Sequence, residues 1–363
     1  MLSRKKRMLA LTLAVIFALC FTVVGCGVKE SGAIGDSTSN TQVVSWKMQA
    51  YVPPGNIYWD AGQRIVDIVK ELSGGNFVID YLADGTIVET SEMLYAVESG
   101  TLDAAFTYSA LDAGISPAAP LFCSVPGAFD IQSFCMWMDT GGGNELLTEL
   151  YEPYGVVPFF ACIDGMETFL WANKPIRTIE DLKSSKIRMM PVFGDILAAN
   201  GVPVVFLPGS EIIPSLDRKV IDAGEYSIPA YDIDAGFADV CKYMIYPGIH
   251  SPFSTSQVNV NAQAWEELPE EYKSIFEYAV KVARYENWID NEVKNIDALD
   301  ELQKMGIEVV VMDDEAIQTM LEWTKEYMDS KENEDEYFAK VRQSQKAFLE
   351  RWYPYSESTT LQH

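Results

Sequence analysis

From Val43 onward the chain alternates between two spacings of apolar residues. "VVSWKMQAYV" (43–52) reads as a strand, whereas 57–72 repeats apolar positions at three- and four-residue steps and stops at "SGG", as a helix closed by glycine does. "NFVIDYL" (76–82) is a second strand, 90–99 a helix ending at Gly100, and "LDAAFTYSA" (102–110) a third strand. Strands and helices taking turns predict an α/β lobe with a largely parallel sheet.

A stretch bearing Pro and Gly, 114–130, breaks the alternation, and "GVVPFFACID" (155–164) supplies a strand ending near Asp164. Beyond it "ETFLWANKPI", "SKIRMMP", "VPVVFL" and "VIDAGEYSI" read as strands, with helices over 194–200 and 210–217. This is a second α/β unit inserted into the first. "YMIYPGIHSPFSTSQVNVN" (243–261) reads as one extended stretch running back to the first lobe, and from Ala264 the chain is mostly amphipathic helix. The expected organisation is lobe I from 43–164 plus about 253–353, with connecting and C-terminal helices, and lobe II from 165–252. Several crossings between lobes make a hinge, and the cleft between them is the default ligand site.

The residues before Val43 follow a different pattern. Arg4, Lys5, Lys6 and Arg7 precede an apolar run from Met8 to Val24, and "VVGC" ends at Cys26. A basic head, an apolar run and small residues make an export signal. The box before Cys26 resembles a bacterial lipoprotein processing site, so residues 1–25 are expected to be removed, Cys26 to carry lipid, and 26–42 to act as a flexible tether. A single transmembrane anchor is the competing reading, though the run is marginal for a span of about 20 residues.

Charge narrows the partners. With 53 Asp+Glu against 27 Lys+Arg the net charge is −26, and loss of the basic head makes it more negative. Such a surface repels polyanions, which makes nucleic acid and anionic lipid poor partners; a small anion must be met by a local positive feature. Cys123, Cys135, Cys162 and Cys241 show neither CxxC nor zinc spacing, leaving buried thiols or one Cys123–Cys135 bridge.

Material for covalent chemistry is thin. Only His250 and His363 are histidines, and no GxSxG, HExxH, Walker loop or GxGxxG occurs. His250, beside Pro247 and Gly248, reads as a hydrogen-bonded loop residue, and "GGGN" (141–144) as a helix breaker. Three polar intrusions into apolar runs remain: Arg188 in "SKIRMMP", Glu225 and Tyr226 in "DAGEYSIP", and Glu167 in "DGMETFLW". All lie at strand ends, where open α/β sheets bind ligands. For Arg188 two roles stay open: a structural ion pair with Glu225, or a two-pronged clamp on a ligand carboxylate.

The run "KIRMMPVFGDILAANGVPVVFLPGSEIIPSLDRKVIDAGEY", continuing through "KYMIYPGIHSPFSTSQVNVNAQAWEELP", resembles the DctP-type solute-binding subunits of tripartite ATP-independent periplasmic (TRAP) transporters over nearly all of 43–330. The resemblance implies a bilobed, periplasmic-binding-protein-like α/β fold that closes on a small organic acid and delivers it to a membrane permease. It implies that Arg188 clamps the ligand carboxylate, and the "GEY…YPGIH" signature is most similar to the branch that binds 2-oxo or 2-hydroxy monocarboxylates with a metal cation. On that likeness Tyr226, Tyr108 and Glu167 line the ligand, and Glu225, Gln257, Glu167 and Tyr226 hold the cation. Tyr226 departs from the usual tryptophan and Glu167 from the usual glutamine. Two glutamates, one ligand carboxylate and one arginine sum to a charge that a divalent ion neutralises, which puts calcium ahead of sodium. The rival readings are an extracytoplasmic metal-dependent enzyme acting on a hydroxy acid with Glu225 as base, and a structural lipoprotein. A homodimer is left open.

Overall fold

The computed structural model describes residues 43–359; the expected signal segment, Cys26 and the tether lie outside the described residues. Among the described residues eleven strands form two sheets. The first has the order β2 (Phe77–Leu82), β1 (Val44–Ala50), β3 (Ala104–Thr107), β10 (Ser254–Asn261), β4 (Val156–Asp164). The second has the order β11 (Glu308–Val311), β9 (Tyr243–Tyr246), β5 (Leu170–Ala172), β8 (Ala223–Gly224), β6 (Ile187–Arg188), β7 (Val204–Val205).

Lobe I begins as the pattern predicts. β1 pairs in parallel with β2 and β3. The helix Ile57–Leu72 connects β1 to β2 and buries Ile57, Ala61, Ile65, Val66 and Val69, the stripe that its three- and four-residue spacing foretold. Asn56 caps it by accepting from the Tyr58 amide. β10 then enters antiparallel between β3 and β4, so this sheet is mixed rather than largely parallel. It arrives from the other lobe through residues 247–253, and no helical crossover turns it round.

The expected single extended stretch 243–261 is therefore two strands in two sheets, β9 and β10. The C-terminal third also differs from expectation. Helix Glu270–Met305 is 36 residues long and packs Phe276, Ala279, Val280 and Ala283 on the first sheet. After it β11 pairs in parallel with β9, in the second sheet. The helix Asp314–Glu334 then buries Ala316 and Met320 in the core of lobe II with Phe169, Ile187 and Leu197. Lobe II thus includes 308–320, which the sequence reading gave to lobe I. Helix Glu336–Thr359 returns to lobe I, where Phe338, Val341 and Leu349 pack with Phe134 and Trp137. Among the described residues no helix is long and apolar enough to cross a membrane. Cys123, Cys135, Cys162 and Cys241 are all free thiols, so no Cys123–Cys135 bridge is present.

Candidate functional site

Arg188 ends a two-residue strand next to the edge strand β7 of the second sheet, opposite Gly224 of β8. A Cβ at Gly224 would lie 3.1 Å from Ile212 Cγ2 and 3.4 Å from Arg188 Cβ, so the missing side chain makes room for the arginine. The next residue, Glu225, brings its carboxylate to the guanidinium: Arg188 Nη1 lies 2.7 Å from Glu225 Oε1, with side-chain exposures of 5% and 1%. Nη1 also donates to the Glu225 carbonyl at 3.0 Å, and Nε to the Leu207 carbonyl at 3.1 Å. Among the described residues Nη2 has only the Met190 sulfur, at 3.4 Å. The Met190 amide donates to Glu225 Oε1 at 2.7 Å. The ion pair that the sequence left open is present, and it leaves the Nη2 edge of the fork for a further acceptor.

Glu167 and His250 complete the group. His250 Nε2 is 3.2 Å from Glu167 Oε2, and one donor atom from each of Glu167, Glu225 and His250 lies within 4.8 Å of the others. The loop carrying His250 is held close to Glu167: a Cβ on Gly248 would fall 2.0 Å from the Glu167 carbonyl oxygen, so only glycine fits there. Burial raises the Glu167 carboxyl to about 7, opposed by a hydrogen bond from Ser251 and the charge of Arg188. Burial also raises Glu225, against the pull of Arg188, and lowers His250 to about 4, which keeps the imidazole neutral. His250 Nδ1 is buried without a partner among the described residues. Nitrogen and carboxylate oxygens converging at this distance are a donor set that fits a cation.

Lobe I faces this group with hydroxyl-bearing rings. Tyr108 follows β3, and its hydroxyl, pushed up by burial, also feels Glu167, Arg188 and Glu225. Tyr51 packs 4.9 Å from Tyr108 and 5.8 Å from Tyr58, ring centre to ring centre. Burial raises the Tyr58 hydroxyl, and the carboxyls of Asp164 and Glu167 push the same way. The lobes also meet through Asn56, which donates to the Tyr231 hydroxyl at 2.7 Å.

Of the residues singled out from sequence, Arg188, Glu225, Glu167 and Tyr108 come together. Tyr226 turns its ring between Tyr231 and Phe237, at 5.6 and 5.5 Å, with its hydroxyl on Tyr231 and its edge in the field of Arg188. Among the described residues no hydrogen bond joins Gln257 to Glu225 or Glu167. Val258 and Val260 of β10 face the long helix, so the period of two puts Gln257 and Asn259 on the opposite face of the sheet, the side on which Thr255 bonds the Phe122 carbonyl. There Gln257 Nε2 donates to Asn259 Oδ1 at 2.8 Å, beside Tyr151. His250, which the sequence reading left out of the site, lies beside Glu167 and Glu225. Its hydrogen-bonded loop position was read correctly, but no local signal marked its meeting with Glu167, 83 residues away. Tyr51 and Tyr58 were likewise missed.

The description "bacterial extracellular solute-binding protein, family 7" (DctP) matches residues 48–335. A monocarboxylate 2-oxoacid-binding periplasmic protein of Nostoc sp. is 29% identical over 358 residues, covering 99% of this chain and 98% of its own. A TRAP periplasmic solute-binding protein of Pseudoalteromonas atlantica, solved with sodium and pyruvate, superposes with a TM-score of 0.81 at 26% identity, over 88% of this chain and 97% of that one. A TRAP solute-binding protein of Bordetella bronchiseptica, with copurified calcium and picolinate, shares the fold with a TM-score of 0.81 at 24% identity, over 88% and 95% of the two chains. With Arg188 and its partners gathered between two such lobes, the chain belongs to the bacterial extracellular solute-binding proteins of family 7, the DctP-type receptors of TRAP transporters, and is an extracytoplasmic receptor that serves a membrane permease rather than an enzyme.

Proposed function

We propose that this receptor binds a small 2-oxo or 2-hydroxy monocarboxylate between its lobes together with a cation. The observation that carries the reading is the buried Arg188–Glu225 pair with Glu167 and His250 beside it and an Nη2 edge held, among the described residues, only by the Met190 sulfur. The ligand carboxylate takes Nη2. To be held by two prongs it must also draw on Nη1, and Glu225 gives up that nitrogen only if another positive charge takes its oxygens. A cation held by Glu225, Glu167 and the oxo or hydroxy oxygen of the ligand meets that need, with His250 and Tyr226 at the edge of the same space. The relatives support the ligand class, since one is named for 2-oxoacids and another was solved with pyruvate.

Charge decides which cation. With Glu167 ionised, Glu225, Glu167 and the ligand bring three negative charges against one on Arg188, and a divalent ion closes the sum. With Glu167 protonated, a monovalent ion suffices. Its carboxyl titrates at about 7, so calcium displaces a proton that sodium leaves in place. We favour calcium because its affinity for hard oxygen donors repays that proton at neutral pH. Calorimetry with pyruvate, after chelator treatment and with calcium or sodium restored separately, tests both parts. Undiminished affinity with sodium alone rejects calcium, and no heat with either ion and any 2-oxo acid rejects the ligand class. Anchoring through lipid on Cys26 is proposed from the sequence, and loss of membrane association in Cys26→Ser checks it.

A further inference from the structure

The outer edge of the Arg188 fork is covered by a group whose chemistry can change. Glu225 and the Leu207 carbonyl engage Nη1 and Nε, and the Phe206 ring centre lies 5.7 Å from the guanidinium carbon. Among the described residues Nη2 is left to the Met190 sulfur at 3.4 Å. A thioether is a weak acceptor, so it gives this nitrogen up to a carboxylate at little cost. Oxidation turns it into a polar sulfoxide with an oxygen of its own, and a guanidinium binds oxygen more strongly than it binds sulfur. Met190 is also open to an oxidant. Among the described residues three methionines are exposed: Met190 at 39%, Met166 at 38% and Met305 at 46%. The thiols compete poorly. Cys123, Cys162 and Cys241 are buried, and burial raises all four thiols above their usual range, which disfavours the reactive thiolate.

We propose that Met190 is a reversible oxidation site whose sulfoxide oxygen takes Arg188 Nη2 and so excludes the ligand carboxylate. The inference rests on the reading that this carboxylate binds Nη2. In the step hydrogen peroxide delivers one oxygen to a sulfur lone pair: an S–O bond forms as the O–O bond breaks, sulfur is oxidised, and the peroxide is reduced and leaves as water. The sulfur already stands within hydrogen-bond range of Nη2, and an unbranched, half-exposed side chain can draw back toward solvent to let the new oxygen in between. The Met190 backbone amide meanwhile keeps its bond to Glu225 Oε1, so the arginine–glutamate pair survives the change. An extracytoplasmic receptor works outside the thiol pool that keeps cytosolic proteins reduced. Ligand capture then stops while oxidant is present and resumes once a reductase removes the oxygen.

Calorimetry with pyruvate, calcium and sodium all present, before and after peroxide, tests the switch, with the oxidised positions read by peptide mass spectrometry. Full conversion of Met190 should weaken wild-type binding by about tenfold or more, the worth of a hydrogen bond to a charged group. Treatment with the two methionine sulfoxide reductases, one for each epimer, should restore it. Met190→Leu keeps the backbone amide and the apolar cover, and whatever its own affinity, that value should not change with peroxide although Met166 and Met305 are oxidised. Met190→Gln offers an amide oxygen to Nη2 without any oxidant and should bind weakly from the start. If the untreated wild type takes no 2-oxo acid, the ligand reading falls and the switch with it. If it binds and full oxidation of Met190 leaves its affinity unchanged, the switch alone falls. An equal loss in peroxide-treated Met190→Leu, or a Met190 that stays reduced while Met305 is oxidised, overturns it as well.

Discussion

The lobe II wall of the cleft carries Arg188, Glu225, Glu167 and His250, whereas the lobe I wall carries Tyr51, Tyr58 and Tyr108, whose hydroxyls burial keeps protonated. The charged wall is built on short strands of a sheet whose backbone fixes each group: Arg188 opposite Gly224, Glu225 one residue on, Met190 donating back to Glu225. The neutral wall is built from residues that follow strands and begin a helix, joined ring to ring. On the proposed function one wall would hold ligand and cation by charge, and the other would cover them. A lobe bearing opposite charges on both walls would attract its partner lobe without ligand. A neutral covering wall leaves closure to the ligand, which stabilises the closed state only through contacts absent from the open one.

The largest effect should come from breaking the charged wall from within. Glu225→Ala leaves the Arg188 guanidinium buried without its counter-charge, and removal of one member of a buried pair costs about 3 kcal/mol or more in stability. Urea unfolding of the ligand-free protein measures it. A midpoint equal to that of the wild type would show that the pair is not buried in the unliganded receptor. Arg188→Lys should come next. Lysine keeps the charge but cannot present two parallel donors, and ligand affinity should fall by about 2 kcal/mol, roughly thirtyfold. Near-wild-type affinity in calorimetry would remove Arg188 from the ligand.

How far this wall could be read in the sequence depends on distance along the chain. Arg188 and Glu225 stood out because each interrupts an apolar run, and a polar residue in a buried run needs a reason whatever the fold. Helix 57–72 was legible for the same local cause, its stripe of buried positions. His250 broke no run. It sits in a loop, and only the close approach of Gly248 to Glu167 brings it in, a contact that local periodicity does not encode. β11 was hidden because a single side chain of its four, Val310, is buried; an edge strand with three exposed positions has no alternating signature beside the helices flanking it. The role of Gln257 was taken from an ungapped match, which aligns positions but does not say which face of β10 they take.

A third effect distinguishes the titrating member of the charged wall from the tyrosines. Burial raises Glu167 from 4.5 to about 7. Below that pH the proton occupies the oxygen a divalent cation needs, so calcium affinity should rise about tenfold per pH unit up to about 7 and level off above it. Glu167→Gln should abolish the slope and favour sodium over calcium. A calcium affinity that is flat from pH 5 to 7 in the wild type would place Glu167 outside the cation site, whereas no such slope is expected from any tyrosine.

The smallest effect should come from the covering wall. The Tyr108 hydroxyl has no hydrogen-bond partner among the described residues, yet its electrostatic environment includes both Arg188 and Glu225. A neutral donor near a charged group contributes to binding only when the ligand arrives, and then as one hydrogen bond worth about 1 kcal/mol. Tyr108→Phe keeps the ring that packs on Tyr51 and removes only the hydroxyl, so stability without ligand should be unchanged. Affinity for pyruvate should fall a few-fold, and the gain in melting temperature on adding ligand should shrink accordingly. A loss as large as that of Arg188→Lys would mean that the covering wall fixes the ligand as firmly as the charged one, and the division between the walls would fail. No loss at all would assign Tyr108 to packing, leaving Tyr51 and Tyr58 as the residues that close over the ligand.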